Sequence, residues 1–600
     1  MDGKDRAVHA GKIGAYASQS GRLSTVCGIA GIFGASHADE QLNRMVAVQR
    51  HRGPDAEGVC WDQSGGAWMG HCRLSILDLS AKANQPMYDN SGRYCLVYNG
   101  EIYNYLEIRE QLEHRYRFRT ATDSEVLLAA YIEWGADCLD RFLGMFAFMI
   151  WDTKDKVLFA ARDRFGVKPF YYSCTDGGVL FCASEIKALH AAGIDKTFDP
   201  VSWSTYFVYG AYDHTEKTFW RNVFKLPAGC LLTWRDNTLQ ISRWYDFRER
   251  VGRLTENRSI AEVAEEYCSL LEASVKLRFR SDVTVGVSLS GGLDSSVLLS
   301  LIRRFHGDSA NINVFTFFTG DERYDELPWV RAMLMGTNYP LTPCLLNAHD
   351  IPVQAERVSR NQGEPFGGFP TLAYAHLFSM ARKHGVTVLL DGQGMDEQLA
   401  GYDYYHSAAA QSGDITPVQG TTLPLNLAHC LEEDFKHVAR PIEKEDFFSE
   451  ELKNLQYRDI FAAKIPRALR FNDHASMMSS CELREPFLCH RLVELAFCQP
   501  DARKIKDGQG KWLLREIARD MMPQSVSTAP KRPVQTPQRE WLQNDLADWA
   551  TACIATAMRG WGRAWFKEKE VWRTWDLFRR EGGDNSFPYW QLISLGLMQS

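Results

Sequence analysis

The stretch Val283-Thr-Val-Gly-Val-Ser-Leu-Ser-Gly-Gly-Leu-Asp-Ser-Ser296 places an apolar strand directly before a glycine-rich turn and a helix start. The two glycines let the backbone approach a ligand closely, because they carry no Cβ atom. Free N–H groups at a helix start, together with serine hydroxyls, form a binding site for an anion. The Gly-Lys-Ser/Thr ending of a P-loop is absent. The stretch therefore predicts a nucleotide phosphate site of another type, the alternative being a tight turn with a capping serine.

Acidic residues accompany this turn and a second one like it. Asp294 would repel phosphate unless it holds a cation, which indicates Mg²⁺. The segment from Leu389 to Tyr402 repeats the order of strand, glycine-rich turn and acids, and contributes Asp396.

Strands alternate with helices around these turns. Helical spacing runs over Ile260–Phe279 and Ser295–Phe305, and apolar strands cover Asn313–Phe318 and Val386–Leu390. This alternation predicts a parallel α/β sheet, followed by a helical, tryptophan-rich C-terminal part.

The two turns resemble the ATP site of the asparagine synthetase branch of the ATP pyrophosphatases. That resemblance implies cleavage of ATP between its α and β phosphates and adenylation of a carboxylate. It also implies that Asp396 shares a magnesium ion, bound to pyrophosphate, with Asp294, and that Lys531 lies near the reacting phosphate. The segments Asp473–Leu488 and Lys511-Trp-Leu-Leu-Arg515 resemble further family landmarks without an assigned role. By the same resemblance, ATP would contact Leu289, Ser290, Gly291, Gly292, Asp294, Ser295, Ser296, Phe317, Asp391 and Gly392.

The segment from Cys27 to Leu189 has a different pattern, with short strands and hairpins. Helical patterns interrupt it near Tyr105–Leu112 and Asp123–Trp134, and Asn99-Gly100 predicts a turn after a strand. Two packed sheets with helices outside them are the expected architecture.

This N-terminal part resembles a class II glutamine amidotransferase domain. In that family an N-terminal cysteine, here Cys27, attacks glutamine and uses its own α-amino group as the base. The resemblance implies that Arg73 binds the substrate carboxylate and that Asp123 binds its ammonium group. Asn99 and Gly100 would form the oxyanion hole, with Glu101 beside them in the glutamine site.

Residues 1–26 conflict with this chemistry, because Cys27 has a free α-amino group only if it begins the chain. Three explanations remain open, in order of preference. The start is misassigned and lies at Val26, the segment is a propeptide, or the glutaminase is lost and free ammonia is used.

The predicted fold is α/β with two domains, an N-terminal αββα sandwich of the N-terminal-nucleophile type and a C-terminal parallel-sheet nucleotide-binding domain with a helical C-terminal part. The predicted boundaries are 1–26 for the extension, 27–215 for the amidotransferase domain, 216–257 for a connector, and 258–600 for the ATP-pyrophosphatase domain.

Three departures from the family pattern concern the acceptor acid. Gln393 stands where the family has a glutamate at the acceptor site, Cys489 stands in place of an aspartate, and His474 in place of an arginine. Aspartate remains the first expectation, and a sugar uronate or a natural-product intermediate is the alternative. A cyclase with an inert glutaminase and a non-catalytic nucleotide sensor are the rival functions.

Composition restricts the partners and the compartment. A net charge of −7 gives no reason to expect nucleic acid, and no apolar run is long enough for a membrane helix. Fifteen cysteines in 600 residues fit free thiols in a reducing cytoplasm. The expected ligands are glutamine, ATP, Mg²⁺ and a carboxylic acid, and the expected assembly is a homodimer.

Overall fold

The computed structural model describes residues 13–18, 27–254, 257–309, 311–408, 427–443, 446–529, 535–583 and 585–599. Lys531 lies outside these residues. Among the described helices, none combines the length and the apolar character needed to cross a bilayer.

The N-terminal domain consists of short strands with helices between them. Its strands are β1 (Ile13–Ser18), β2 (Gly28–Phe33), β3 (Ala56–Asp62), β4 (Ala67–Arg73), β5 (Met87–Tyr88), β6 (Tyr94–Ile102), β7 (Gly144–Asp152), β8 (Val157–Arg162), β9 (Tyr171–Cys174), β10 (Leu180–Ala183), β11 (Phe224–Lys225), β12 (Cys230–Arg235) and β13 (Thr238–Arg243). Its helices are α1 (Asp39–Val48), α2 (Tyr105–Leu112), α3 (Asp123–Trp134), α4 (Cys138–Arg141), α5 (Ile186–Ala191), α6 (Pro200–Tyr209) and α7 (Phe247–Gly252).

These strands form two antiparallel sheets that pack face to face. One sheet has the order β1-β3-β4-β2-β10-β9-β11 and the other β13-β12-β8-β7-β6-β5. Apolar side chains such as Phe33, Met149 and Leu232 fill the space between them. Helices α1 and α5 cover the outer face of the first sheet, and α2 and α3 cover that of the second. The expected αββα sandwich is therefore present.

Two local expectations are corrected. Asn99-Gly100 does not form a turn, because β6 continues through it and pairs with β7 along its full length. Residues 216–257 are more than a connector, since β11 joins the first sheet while β12 and β13 extend the second. Pairing with β8 and β9 satisfies backbone groups that a free connector would leave to water. The sequence pattern also does not predict β1, which pairs with β3 at the edge of the first sheet.

The C-terminal domain begins with the predicted strand–helix alternation. Its strands are β14 (Val285–Ser288), β15 (Asn313–Phe318), β16 (Leu341–Leu345), β17 (Val388–Leu390) and β18 (Glu482–Arg484). Its helices are α8 (Ile260–Arg278), α9 (Leu293–His306), α10 (Leu327–Leu334), α11 (Ile351–Gln362), α12 (Phe369–Lys383), α13 (Met395–Gln398), α14 (Asp403–Ala408), α15 (Glu433–Lys436), α16 (Glu451–Arg458), α17 (Ile465–Met477), α18 (His490–Cys498), α19 (Asp501–Lys504), α20 (Trp512–Ala518), α21 (Gln524–Ser527), α22 (Gln538–Gln543), α23 (Ala547–Arg559), α24 (Glu568–Glu581) and α25 (Phe587–Leu597). A π-helical turn, Asp459–Ala463, precedes α17.

All five strands of this domain are parallel, in the order β16-β15-β14-β17-β18. Apolar side chains cover both faces of the sheet, with α8, α9 and α18 on one side and α11, α12 and α23 on the other. The chain leaves β14 toward β15 and later returns to place β17 on its other side. In sheets of this kind ligands bind beyond the carboxyl ends of the strands at such a switch point. The turn that follows β14 is the predicted phosphate loop.

A buried arginine ties the two domains together. Arg52 is fully buried, and its guanidinium contacts Glu185 in its own domain at 3.1 Å and Asp473 of α17 at 2.9 Å. Its Nε also donates to the carbonyl oxygen of Cys27 at 3.1 Å.

We expect Arg52→Met to lower the free energy of unfolding by about 3–5 kcal/mol, because it removes the fully buried cation that Glu185 and Asp473 share. Chemical denaturation measures the loss. Arg50→Met is the matched control, since Arg50 is largely exposed beside Glu57 and its loss should cost less than about 1 kcal/mol. Equal losses in the two variants would contradict a structural role for the buried arginine.

Candidate active sites

The first candidate site is a small pocket that both domains line. Cys27, Arg73, Gly100 and Asp123 come from the N-terminal domain, and Glu482 of β18 comes from the other. The sequence did not single out Glu482, because its place in this wall depends on how the two domains dock.

Cys27 lies directly before β2, with its Sγ at the pocket wall. The N–H of Leu74 donates to this sulfur at 3.3 Å. Burial raises the pKa of the thiol to about 12. The hydrogen bond from Leu74 and the charge of Arg73 lower this pKa, but by less than burial raises it. Because the thiolate is the nucleophile, Cys27 needs a base that removes its proton.

Asn99 and Gly100 are neighbours on β6, and Gly100 lines the same pocket as Cys27. Gly100 has a φ of +152°, and a Cβ atom there would lie 2.1 Å from the carbonyl oxygen of Met145. Asn99 is buried, and among the described residues its Nδ2 has no hydrogen-bond partner. A buried donor without a partner costs about 1–3 kcal/mol, so a ligand oxygen placed there would be stabilised. The arrangement suits an oxyanion hole.

Arg73 and Asp123 supply opposite charges to the same pocket. The Arg73 guanidinium is held in place by the carbonyl oxygen of Ser80 at 2.8 Å and by Asn84 Oδ1 at 2.7 Å. Asp123, the first residue of α3, accepts hydrogen bonds from the Tyr98 hydroxyl at 2.8 Å and from the Ile102 N–H at 2.9 Å. The pair matches the carboxylate and ammonium groups of a free amino acid.

Glu101 also lines the pocket but has a partner in the other domain. Its Oε1 lies 3.2 Å from Nη2 of Arg484, and burial raises its pKa well above the usual range. Arg484 is fully buried and also pairs with Glu482 at 2.8 Å. The predicted glutamine-site residue therefore also joins the pocket to the C-terminal domain.

The second candidate site lies at the carboxyl edge of the parallel sheet. Asp294 on α9 and Asp396 on α13 converge there, as the sequence predicts. Between them lies the ammonium group of Lys511, whose Nζ is 2.7 and 2.6 Å from the two Asp294 oxygens and 2.6 Å from Asp396 Oδ1. Lys511 is buried and directly precedes α20.

Lys511 has no signal of its own in the sequence. It belongs to a segment with a family resemblance, but nothing in its spacing assigns it a role. Lys511 lies far from both acids along the chain, and only the fold places its side chain between them.

The phosphate loop after β14 has the predicted form. The hydroxyls of Ser290 and Ser295 lie 3.0 Å apart, and the Ser290 N–H donates to Ser295 Oγ at 3.2 Å. Gly291 has a φ of +71°, and a Cβ atom there would lie 2.8 Å from the Trp329 side chain. Ser296 is fully buried, and its Oγ has no hydrogen-bond partner among the described residues.

The second glycine-rich turn packs directly on this loop. A Cβ atom on Gly392 would lie 3.1 Å from the backbone nitrogen of Ser295, so the two turns touch. Asp391 is buried at the end of β17, and its Oδ1 accepts from the N–H of Gln393 at 3.0 Å. Phe317, near the end of β15, packs against Tyr374. The structure thus places the predicted ATP residues along one edge.

The two acids have the chemistry of a magnesium site. Mg²⁺ prefers hard oxygen donors and in nucleotide sites often takes one or two carboxylates together with phosphate oxygens. Among the described residues no group of three or more metal-binding side chains occurs, so Asp294 and Asp396 would hold the ion only together with the nucleotide. The contacts with Lys511 show that both carboxylates can face one cation.

Two family models cover most of the chain. One, described as a glutamine amidotransferase domain, matches residues 26–245, and the other, described as asparagine synthase, matches residues 266–600. The chain belongs to the asparagine synthase family.

Relatives cover nearly the full length of this asparagine synthase family member. Asparagine synthetase (glutamine-hydrolyzing) 1 of Bacillus subtilis is 28% identical over 95% of both chains. A Mycobacterium bovis relative is 31% identical over 96% of both chains. Amidase chyE of Penicillium rubens is 29% identical over 62% of this chain and 56% of its own.

The family assignment agrees with the two sites in the structure. This family member is a ligase of the asparagine synthetase type with a glutamine amidotransferase domain, and the family uses ATP. The amidotransferase match ends at residue 245, directly after β13, which agrees with the place of β11–β13 in the two sheets.

The pocket predicts a pH dependence of glutamine binding. Burial raises the pKa of Asp123 to about 6, and only the ionised carboxylate attracts an ammonium group. In a Cys27→Ala background, which prevents turnover, affinity for glutamine should be constant above the pKa and fall about tenfold per pH unit below it. Calorimetric titration from pH 8 to pH 5 measures this. Asp123→Asn should bind weakly at every pH, and an unchanged affinity down to pH 5 would contradict the assignment.

Gly401→Ala should disable the second site selectively. A Cβ atom at this position would lie 2.0 Å from Asp396 Oδ1 and 2.2 Å from Cε of Lys511, so both side chains must move. We expect ATP-dependent activity to fall by about 10²–10³-fold while glutaminase activity is retained. Gly252→Ala is the control, because nothing lies within 4 Å of that position. Full ATP-dependent activity in the Gly401→Ala variant would refute the placement of Lys511.

Proposed function

We propose that this protein converts a carboxylic acid, with aspartate as the first candidate, into an amide through an acyl-adenylate. The observation that carries the proposal is Lys511 between Asp294 and Asp396, beside a serine-rich phosphate loop. Relatives named asparagine synthetase support aspartate as the acid.

In the proposed glutaminase reaction, Arg73 and Asp123 hold the two charged ends of glutamine. The Cys27 sulfur attacks the side-chain amide, and Asn99 and Gly100 stabilise the oxyanion. Ammonia leaves, and water hydrolyses the thioester to glutamate. The α-amino group of Cys27 can serve as the base when this residue begins the mature chain, because its ordinary pKa of about 7.7–8.0 suits proton transfer near neutral pH.

In the proposed synthetase reaction, the phosphates of ATP lie on the loop from Ser290 to Ser296. Asp294 and Asp396 would hold Mg²⁺, which when bound would neutralise phosphate charge. The carboxylate oxygen of the acceptor attacks the α-phosphorus and pyrophosphate leaves. The ammonium group of Lys511 stabilises the negative charge that develops during this step. Lys511 is therefore a second candidate for a catalytic lysine beside Lys531, which lies outside the described residues and stays a prediction from the sequence.

The shared wall between the sites supports ammonia transfer inside the protein. Glu482 lines the glutaminase pocket, and the strand to which it belongs ends at the carboxyl edge where ATP would bind. Ammonia released at Cys27 would therefore have a short path to the acyl-adenylate.

A different acceptor acid is the second candidate. Gln393 in the acceptor turn and Cys489 after β18 depart from the family pattern, and two relatives carry the name amidase. A sugar uronate or a natural-product acid would fit an enzyme with the same ATP and glutamine sites. A homodimer in the cytoplasm belongs to the same proposal, and light scattering on the purified protein tests the dimer.

The proposal is tested by the products and by the mature N-terminus. With ATP, glutamine and aspartate we expect asparagine, glutamate, AMP and pyrophosphate, from a chain whose intact mass begins at Cys27. Cys27→Ala should lose glutamine-dependent synthesis but keep synthesis from ammonium chloride. Cys174→Ala, a half-buried thiol outside both sites, is the control.

Three outcomes would overturn parts of this proposal. Release of ADP and phosphate alone would exclude the acyl-adenylate. Amide formation from ammonium chloride but never from glutamine, in a chain that retains residues 1–26, would exclude the glutaminase. Turnover with glucuronate but not with aspartate would favour the second candidate.

A further inference from the structure

Two buried carboxyl groups lie side by side at the carboxyl edge of the parallel sheet. Asp391 directly follows β17 and Glu485 directly follows β18, and the last residues of these strands, Leu390 and Arg484, are register partners. The N–H of Asp391 donates to the carbonyl oxygen of Arg484 at 3.2 Å. The two side chains are 7% and 4% exposed, and their carboxyl groups lie within reach of a hydrogen bond to each other.

A hydrogen bond between two carboxyl groups requires a shared proton. Burial raises the pKa of both, and for Glu485 the neighbouring charge of Asp391 raises it further. Lys168 and Arg278 oppose this shift, and the Tyr374 ring lies on the same side. Among the described residues Oε2 of Glu485 has no hydrogen-bond partner, so the pair retains an oxygen that can accept.

On one side the pair adjoins the phosphate loop. Gly392 follows Asp391 directly, and a Cβ atom on this glycine would lie 3.2 Å from the Cβ of Asp294. The pair therefore adjoins the loop on which the phosphates of ATP lie in the proposed reaction.

On the other side the pair adjoins the glutaminase. Glu485 follows the three-residue strand β18, whose first residue, Glu482, lines the pocket of Cys27. Arg484, between them, holds Glu101 of that pocket. The carboxyl pair therefore lies at the end of a strand whose first residue faces the pocket of Cys27.

Amide formation needs a proton acceptor at this point. When ammonia attacks a carbonyl carbon, the nitrogen becomes positively charged and must lose a proton before the intermediate collapses. The side-chain amide of Gln393 does not accept a proton readily, and Lys511 already contacts both Asp294 and Asp396. We propose that the Asp391–Glu485 carboxyl pair accepts the proton from the attacking ammonia. This inference rests on the acyl-adenylate reaction proposed above.

In this step each bond that forms is matched by one that breaks. The nitrogen lone pair forms the new C–N bond while the carbonyl π electrons move to oxygen. One N–H proton moves to the carboxyl pair. The carbonyl re-forms, the C–O bond to AMP breaks, and its electron pair leaves with the AMP phosphate oxygen. The pair then returns the proton to solvent, so no further reactant is needed.

Glu485→Gln tests the pair without opening a cavity. The amide N–H can donate to Asp391 in place of the shared proton, so the fold should be retained. Residue 485 then no longer accepts a proton, and the remaining Asp391 carboxylate is occupied by that N–H. We expect ATP–pyrophosphate exchange, which reports adenylation, to stay within about threefold of the unaltered protein. Amide formation from ammonium chloride should fall by about 10²-fold or more, with little change in the KM of the acid.

Hydroxylamine provides a second readout. It is less basic than ammonia, and its adduct loses a proton more readily, so hydroxamate formation should fall much less than amide formation. Glu494→Gln is the matched control, because Glu494 is a partly buried carboxyl that bonds Tyr245 outside both sites. Thermal unfolding of each variant checks the fold.

The outcomes separate this inference from the proposed function. Normal amide formation by Glu485→Gln overturns the inference alone, as does an equal loss of exchange and amide formation. A rise in the KM of the acid with an unchanged kcat would make the pair a binding group and also overturn it. If the unaltered protein forms no amide and no AMP from aspartate, glutamate or glucuronate, the proposed function fails, and the inference with it.

Discussion

The pairing of buried charges across the domain boundary is the constraint on which both sites depend. Arg52 and Arg484 are each fully buried, and an unpaired guanidinium in such a place would cost several kcal/mol. Their partners lie in both domains, Glu185 and Asp473 for Arg52, and Glu101 and Glu482 for Arg484. Because such pairs have strict geometry, they define how the domains dock. That docking places a wall of the C-terminal domain behind Cys27.

The parallel sheet brings together the residues of the second site from distant parts of the chain. Its strands end at one edge, so the turns after β14 and β17 meet although more than one helix separates them along the chain. Helix starts at this edge present Asp294 and Asp396 to a common point, where Lys511 neutralises them. Glycines near these turns allow contacts that a Cβ atom would prevent. A Cβ atom on Gly401, for example, would lie only 2.0 Å from Asp396 Oδ1.

Strand β18 runs from the first candidate site to the second. Three residues long, it begins with a side chain in the glutaminase pocket and ends beside the phosphate edge. Because one short strand contributes to both candidate sites, a displacement of β18 at one site would shift residues at the other, which provides a physical route for coupling between them.

The sequence by itself determined the local elements and most of the chemistry. Helices Tyr105–Leu112 and Asp123–Trp134, strand Asn313–Phe318 and the strand–turn–helix around Ser290 follow from periodicity and glycine placement, which are local properties. The meeting of Asp294 and Asp396 was expected from the resemblance of the two glycine-rich turns to a known family, and the structure brings the two side chains to one lysine. Only the tertiary structure decided the rest. Asn99-Gly100 remains in a strand because β7 offers a full set of partners, and residues 216–257 complete two sheets that form elsewhere in the chain. Glu482, Lys511 and the Asp391–Glu485 pair acquire their surroundings through contacts between distant segments. Burial and charge pairing, which give these side chains their properties, arise only when the chain has folded.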